Sequence, residues 1–201
     1  MTTLYLVRHG RTDWNDDGRY QGQCDPPLNS LGQQQAREVA QRLHEFPLVA
    51  IYSSDLQRAQ QTAQLLSELT GLPLHLDPRL REIHLGTWAG QLVATIRTAE
   101  PKLFASWRGA PASVRPPGGE TVQELAARIA AVLDDIAGTH SDAAVAVFTH
   151  GAAIAAVRCR VRGLPLDDIW KMLIENASWE VVPWPPPRHA GPGPRTPLGE
   201  R

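Results

Sequence analysis

Four short segments, far apart in the chain, carry side chains suited to the chemistry of phosphate esters. They are Arg8-His9-Gly10, Ser53-Ser54 with Arg58, Arg81-Glu82 and Thr149-His150-Gly151. An arginine guanidinium keeps its charge and presents a planar fork of donors that matches phosphate oxygens. A neutral imidazole can attack phosphorus, and a carboxyl can protonate a departing alkoxide and then activate water. Gathered at one point, these groups would form an anion-binding cradle able to transfer a phosphoryl group.

Each of these segments follows a predicted strand. Apolar, β-prone runs at 3–7, 49–53, 74–76 and 143–148 lack alternation, which is typical of strands buried on both faces. Predicted helices separate the strands, and this order predicts an α/β fold, a three-layer α/β/α sandwich with a mostly parallel central sheet. Ligands bind beyond the carboxyl ends of the strands in open sheets of this kind. We therefore expect the four segments to converge.

Capping signals place the first two long helices. The first is predicted over about 31–44, with Ser30 as its N-cap and Gln33 as the capping-box partner. The second is predicted to begin at a cap formed by Ser54 or Asp55. Both helices follow the first two strand ends, so they position the residues that could bind phosphate.

Composition indicates one globular domain. The chain has 201 residues and a formal net charge of −1, with 42% hydrophobic and 20% charged residues. The sequence has no secretory signal pattern or long apolar run, and Cys24 and Cys159 form no CxxC pair. We expect a cytoplasmic catalytic domain over 1–182, ending in a strand at 178–182, with neither a nucleic-acid nor a membrane partner. The Pro- and Gly-rich tail, 183–201, is expected to be disordered.

The ordered motifs closely resemble the histidine phosphatase superfamily, the phosphoglycerate-mutase-like proteins, and its branch of bacterial small-molecule phosphatases. The resemblance covers roughly residues 4–182. Its motifs are Leu6-Val-Arg-His-Gly-Arg-Thr-Asp-Trp-Asn15, Gln21-Gly22, Ser53-Ser54-Asp55-Leu56, Arg58-Ala59, Leu80-Arg-Glu-Ile83, Gly118-Gly-Glu-Thr121 and Thr149-His-Gly151.

The resemblance implies a role for each matched residue. His9 would be the phosphorylated nucleophile and Glu82 the proton donor. The phosphate pocket would be formed by Arg8, Arg58 and His150. The substrate-binding set would comprise Asn15, Gln21, Gly22 and Gly151. The resemblance also implies chemistry without a metal or a cofactor, and it leaves a homodimer open.

Several assignments stay open on the sequence alone. Asp13, Asp55 and Glu120 compete with Glu82 for the role of the acid. Arg11 either widens the cradle or faces solvent. Cys24 is either near the pocket or a bystander. The tryptophans are expected to pack in the core, with one or two at the substrate entrance.

Three functions fit these residues. The favoured one is a phosphatase that hydrolyses small phosphate monoesters of metabolites, among which glucosyl-3-phosphoglycerate is one candidate. The second is a cofactor-dependent phosphoglycerate mutase with the same phosphohistidine, and the third is a non-catalytic phospho-ligand-binding module. The resemblance implies that mutases have a longer segment before the second histidine and an ordered tail that closes the site. The stretch from Trp88 to Gly118 is short here and the tail is Pro-rich, so we expect an open pocket and therefore hydrolysis. The presence of all five pocket residues favours an enzyme.

Overall fold

A five-stranded sheet lies between two helical layers in the computed structural model, which describes residues 1–186. Its strands are β1 (Thr2–Arg8), β2 (Leu48–Ser53), β3 (Leu74–Leu76), β4 (Ala144–Thr149) and β5 (Trp179–Trp184). The strand order is β3-β2-β4-β1-β5, with the first four parallel and β5 antiparallel to β1. The predicted α/β/α sandwich with a mostly parallel sheet is confirmed.

Seven α-helices connect the described strands. They are α1 (Asp13–Asp16), α2 (Ser30–Leu43), α3 (Gln57–Thr70), α4 (Val93–Ala99), α5 (Pro101–Gly109), α6 (Val122–Thr139) and α7 (Gly151–Arg162). Short 3₁₀ turns lie at Pro78–Leu80, Gly86–Trp88 and Leu166–Lys171. None of the helices described between residues 1 and 186 combines the length and the apolar composition needed to cross a membrane.

Both faces of the central strands are buried. Leu4 and Leu6 of β1 belong to the apolar cluster that includes residues of α6 and α7. Tyr5 and Val7 belong to the second cluster, which includes residues of α2 and α3. Because successive side chains of a strand point to opposite faces, a strand between two helical layers needs apolar residues at every position. This explains the continuous apolar runs in the sequence.

The two predicted N-caps are wrong. Asn29 caps α2 because its side chain accepts a hydrogen bond from the Gly32 amide, and Ser30 is the first helical residue. Leu56 stands at the N-cap of α3 and makes no side-chain hydrogen bond of its own. The Gln57 amide is instead satisfied by Asp25, whose carboxylate oxygen lies 2.6 Å away. A cap supplied by a distant loop leaves no local signal in the sequence.

The last strand ends at Trp184 rather than at residue 182, where the sequence analysis placed its end. β5 runs from Trp179 to Trp184, and Trp184 is fully buried, with its indole nitrogen donating to Asp134 at 2.7 Å. Pro183 is tolerated in this strand because β5 lies at the edge of the sheet, where a missing N–H is acceptable. The disorder expected for the rest of the tail concerns residues 187–201, which lie outside the described residues.

Candidate active site

The four predicted segments meet at the carboxyl end of the sheet. Arg8 and Thr149 are register partners at the ends of the parallel neighbours β1 and β4. The residues that follow them, His9 and His150, therefore lie side by side, with ring centroids 5.2 Å apart. A pocket of about 160 Å³ opens here; its lining includes Arg8, His9, Asn15, Gln21, Gly22, Arg58, Glu82 and Gly151.

His9 presents a defined ring nitrogen to this pocket. Its side chain is 3% exposed, and Nδ1 lies 2.7 Å from the carbonyl oxygen of Gly10. A carbonyl only accepts, so Nδ1 carries the proton and donates it, which leaves the lone pair on Nε2. Burial, followed by the Arg58 and Arg8 charges, holds the pKa of His9 well below 6.5. The ring is therefore neutral near pH 7.

The glycine after His9 allows the loop to turn against α2. A Cβ atom at Gly10 would lie 2.5 Å from the carbonyl oxygen of Gly32, closer than real Cβ contacts come. The Gly10 amide also donates to the Thr62 hydroxyl of α3 at 3.1 Å. Any side chain at position 10 would push apart the backbone segment that orients the His9 ring.

His150 joins the site from the start of α7. It is fully buried, and its Nε2 lies 2.9 Å from the Ser54 hydroxyl. Its Nδ1 is buried without a hydrogen-bond partner among residues 1–186. Burial and the nearby Arg58 charge hold the pKa of His150 well below its ordinary value. The described lining of the pocket does not include His150, so its contact with a bound phosphate stays an expectation from the sequence.

Two arginines supply the positive charge, of which Arg58 is buried and Arg8 partly buried. Arg58, 1% exposed, donates to the carbonyls of Cys24 at 2.7 Å and Gly22 at 2.8 Å. Burial lowers its pKa to about 10, so it stays charged at neutral pH. Arg8 donates to the carbonyl of Ile174. The Nε atoms of both arginines have no hydrogen-bond partner in the described part of the chain.

Glu82 brings the carboxylate to the pocket. Its Oε2 accepts from the Ala152 amide in the first turn of α7 at 3.2 Å, and its Oε1 accepts from the Ile83 amide at 2.9 Å. The three competing acids lie in the described chain but are not part of the pocket lining. Asp55 pairs with Arg81, Glu120 pairs with Arg128, and Asp13 is exposed at the start of α1.

The predicted substrate-binding residues also line the pocket: Asn15, Gln21, Gly22 and Gly151. Asn15 uses its Oδ1 to accept from the Thr12 amide at 3.1 Å, so that oxygen is occupied by the cap of α1. Gln21 is 8% exposed, and its Oε1 lacks a partner within residues 1–186. Gly22 has a φ of +51°, which favours glycine, whereas a Cβ atom at Gly151 would make only an ordinary contact with Arg8 at 3.5 Å.

The comparisons with known proteins identify the family of the chain. A family model described as the histidine phosphatase superfamily (branch 1) matches residues 4–189. The chain belongs to this superfamily. It is accordingly a phosphoric monoester hydrolase with a phosphoglycerate-mutase-like fold.

Relatives within the superfamily carry different names. The chain is 35% identical to phosphoserine phosphatase 1 of Hydrogenobacter thermophilus, over 90% of this chain and 86% of that protein. It is also 35% identical to a protein named "Probable phosphoglycerate mutase GpmB" of an Enterobacter species, over 92% of this chain and 88% of that protein. The solved mycobacterial glucosyl-3-phosphoglycerate phosphatase with VO3 is 36% identical, with a TM-score of 0.83, covering 90% of each chain.

One positioning residue of this histidine phosphatase was missed in the sequence. The side-chain amide of Asn176 donates to the carbonyl of His9 at 3.1 Å and reaches Oδ1 of Asn15 at 3.4 Å. It therefore ties the loop before β5 to the turn that carries the imidazole. Asn176 is separated from His9 by most of the chain, and no spacing rule links the two.

The open assignments are resolved by the contacts of each side chain. Arg11 pairs with Asp16 at 2.6 Å on the half-exposed surface, which favours the solvent-facing alternative. Cys24 contributes its carbonyl oxygen to Arg58. Trp88, Trp107 and Trp184 are buried as expected, while Trp107 and Trp170 also line the pocket.

Proposed function

We propose that this histidine phosphatase hydrolyses small phosphate monoesters through a phosphohistidine formed on His9. The observation that carries the proposal is the hydrogen bond between Nδ1 of His9 and the Gly10 carbonyl at 2.7 Å. It fixes the tautomer, so the Nε2 lone pair belongs to a neutral, pre-oriented ring beside two arginines.

The phosphate would bind between the unpartnered groups of the cradle. Arg8 and Arg58 supply fixed charge, His150 supplies a ring nitrogen, and the α7 amides point their N–H groups toward the same end of the sheet. Phosphoryl transfer spreads negative charge over three equatorial oxygens. Donors that are already in place stabilise that charge without reorganisation, which is the main contribution such a site makes to the rate.

The first chemical step transfers the phosphoryl group to the protein. The Nε2 lone pair of His9 forms the N–P bond as the P–O bond to the leaving group breaks, and that electron pair moves to the departing oxygen. Glu82 gives this oxygen its proton. A dianionic phosphate beside the carboxyl favours its protonated form, so substrate binding itself prepares the acid.

The second step returns the enzyme to its starting state. The Glu82 carboxylate removes a proton from water, whose oxygen forms a P–O bond while the N–P bond breaks and its electrons return to Nε2. Inorganic phosphate leaves with the proton balance restored. The same carboxyl thus acts first as acid and then as base.

Arginine charge supports a reaction without a metal ion. No group of three or more His, Cys, Asp or Glu side chains suited to a metal is found among residues 1–186. We expect turnover to survive dialysis against a chelator. Loss of activity with EDTA, restored by a divalent ion, would contradict this part of the proposal.

The direct test is to trap the intermediate. The protein is mixed with a phosphate monoester, quenched in alkali, which preserves phosphohistidine, and analysed by peptide mass spectrometry. A single phosphoryl group on the His9 peptide is expected, together with a loss of turnover of at least about 10⁴-fold in His9→Ala. Turnover retained in His9→Ala would overturn the proposal. A wild-type protein that binds a phospho-ligand but does not turn it over would favour a binding module.

The mutase is the second candidate because one of the similar proteins carries that name. Both reactions share the phosphohistidine and differ in the acceptor, which is water or a second hydroxyl. A product assay with 3-phosphoglycerate, with and without a bisphosphate primer, separates them. We expect release of inorganic phosphate from a panel of metabolite esters that includes phosphoserine and glucosyl-3-phosphoglycerate. Isomerisation without phosphate release would favour the mutase.

We further propose that the protein works in the cytoplasm on free metabolites. Cys24 and Cys159 are both unpaired thiols, which suits a reducing compartment. The net charge of −1 gives no broad cationic surface for a nucleic acid. A homodimer remains a proposal, and sedimentation of the purified chain tests it.

A further inference from the structure

The loop that carries Glu82 is held by an arginine of α6. Arg128 donates through Nη1 to the carbonyls of Arg79 at 2.8 Å and Arg81 at 2.6 Å. Through Nη2 it donates to the carbonyl of Glu82 itself at 2.8 Å. One guanidinium therefore fixes the backbone on both sides of the residue that brings the carboxyl to the pocket.

Glu120 fixes the guanidinium in turn. Its two carboxylate oxygens accept from Nε of Arg128 at 3.1 Å and from Nη2 at 2.6 Å, a bidentate pair. Glu120 also pairs with the loop directly, because it accepts from the His84 amide at 2.8 Å and its own amide donates to the His84 carbonyl at 2.9 Å. The side chains of Arg128 and Glu120 are only 21% and 16% exposed.

The glycine before Glu120 allows this contact. A Cβ atom at Gly119 would lie 2.4 Å from the carbonyl oxygen of His84, a distance that real Cβ atoms essentially never show. The two loops therefore pack backbone against backbone. This accounts for the Gly118-Gly-Glu-Thr121 motif, to which the proposed reaction assigns no chemical step.

We infer that Arg128 and Glu120 are positioning residues that hold the Glu82 carboxyl at the leaving-group oxygen. Neither side chain lines the pocket in the described structure, so any effect on the reaction must pass through the loop they hold. The inference rests on the proposed function, because it assumes that Glu82 is the proton donor.

The leaving group distinguishes a positioning role from a general loss of structure. An alkoxide is a strong base and needs a proton as it departs, whereas p-nitrophenolate is a weak base and departs without one. A displaced Glu82 should therefore slow transfer from an alkyl phosphate more than transfer from p-nitrophenyl phosphate. A variant with a damaged cradle would slow both equally.

The experiment measures single-turnover phosphorylation of His9 with both esters in wild type, Arg128→Gln, Arg128→Lys, Glu120→Gln and Glu82→Gln. For Glu82→Gln we expect a selective loss of about 10²-fold or more on the alkyl ester. For Arg128→Gln we expect at least about tenfold selective loss, with partial rescue by Arg128→Lys, which restores the charge but not the planar fork. If Arg128→Gln does not fold, Arg128→Lys and Glu120→Gln carry the test.

Arg158→Gln is the matched control. Arg158 forms another Arg–Glu pair of similar burial, with Glu180 at 3.2 Å, and donates to the Met172 carbonyl rather than to the Glu82 loop. Its ratio of the two rates should equal that of wild type. Equal losses on both esters in the folded Arg128 and Glu120 variants, or no loss, would overturn the inference while leaving the acid role of Glu82 intact. A Glu82→Gln variant without leaving-group selectivity would overturn both.

Discussion

Arginines in two regions of this molecule make different use of their donors. Arg128, which holds the Glu82 loop, uses Nε, Nη1 and Nη2 in hydrogen bonds to a carboxylate and to three carbonyls. Arg8 and Arg58, which form the cradle, each keep Nε buried without a partner in the described chain. Arg128 lies outside the pocket and holds a loop in place, whereas Arg8 and Arg58 line the pocket.

This difference follows from what each region must do. A buried donor without a partner costs about 1–3 kcal/mol, and it is retained only where something else gains from it. The cradle keeps several such groups together, including a ring nitrogen of His150 and the Gln21 carbonyl oxygen. The unpartnered groups of the cradle therefore lower the free energy of unfolding. Hydrogen-bonded groups elsewhere, such as the Arg128–Glu120 pair, offset this cost, as is common in proteins with functional sites.

The largest effects are expected when one arginine from each region is replaced and both activity and stability are measured. Arg58→Met should lower kcat/KM about 10²- to 10³-fold for every ester, because it removes a preorganised charge from the transition state. Its free energy of unfolding should change by less than about 1 kcal/mol, since two lost hydrogen bonds are offset by removal of a desolvated charge.

Arg128→Met should behave in the opposite way. It leaves Glu120 and three carbonyls without their partner, so we expect a loss of about 2 kcal/mol in chemical denaturation. Activity on p-nitrophenyl phosphate should stay close to wild type. A large loss of stability in Arg58→Met, with none in Arg128→Met, would contradict the assignment of Arg128 to stability and Arg58 to catalysis.

Binding of an anion should stabilise the protein through the unsatisfied cradle. Phosphate or vanadate at about 100 times its Kd is expected to add about 2.7 kcal/mol to the free energy of unfolding. Thermal denaturation measures this directly. The increase should persist in Arg128→Met and disappear in Arg58→Met, and a shift retained in Arg58→Met would place the anion elsewhere.

The pH dependence of stability reports on the two buried imidazoles of the cradle. The pKa values of His9 and His150 are lowered in the fold, so below pH 6.5 the unfolded chain binds protons that the folded chain does not. Stability should therefore fall as pH decreases from about 6.5, by roughly 1.4 kcal/mol per pH unit for each imidazole until its folded pKa is reached.

A control for this pH effect uses the same two residues. His9→Gln and His150→Gln should each flatten the slope below pH 6.5, and bound phosphate should flatten it too, because an anion raises the pKa of a neighbouring imidazole. An unchanged slope in both variants would mean that other groups titrate.

The sequence was sufficient to predict the convergence of the cradle. Apolar strand runs fix the sheet, and in a parallel sheet the residues after Arg8 and Thr149 must lie at the same edge. This rule predicts that His9 and His150, which are far apart in the sequence, lie close together in the fold. Of the four acids weighed in the sequence, Glu82 is the one that lines the described pocket, and its chemical role stays a prediction.

Contacts between distant loops could not be predicted in the same way. Asn176 on the His9 carbonyl, Asp25 on the α3 amide and Arg128 on the Glu82 loop all join segments with no shared periodicity. Each depends on how two loops pack, which follows from the assembled fold rather than from local spacing. The extension of the edge strand through Pro183 to Trp184 was missed for a different reason, because proline is excluded from most strand positions and here also begins the Pro-rich tail.

The central claim is a covalent step on His9, and the stereochemistry at phosphorus tests it most directly. A phosphorothioate monoester made chiral with two oxygen isotopes is hydrolysed in water that carries the third isotope, and the configuration of the released inorganic thiophosphate is determined. Two successive in-line displacements, first by the imidazole and then by water, predict overall retention. Inversion would mean a single attack by water and would contradict the account.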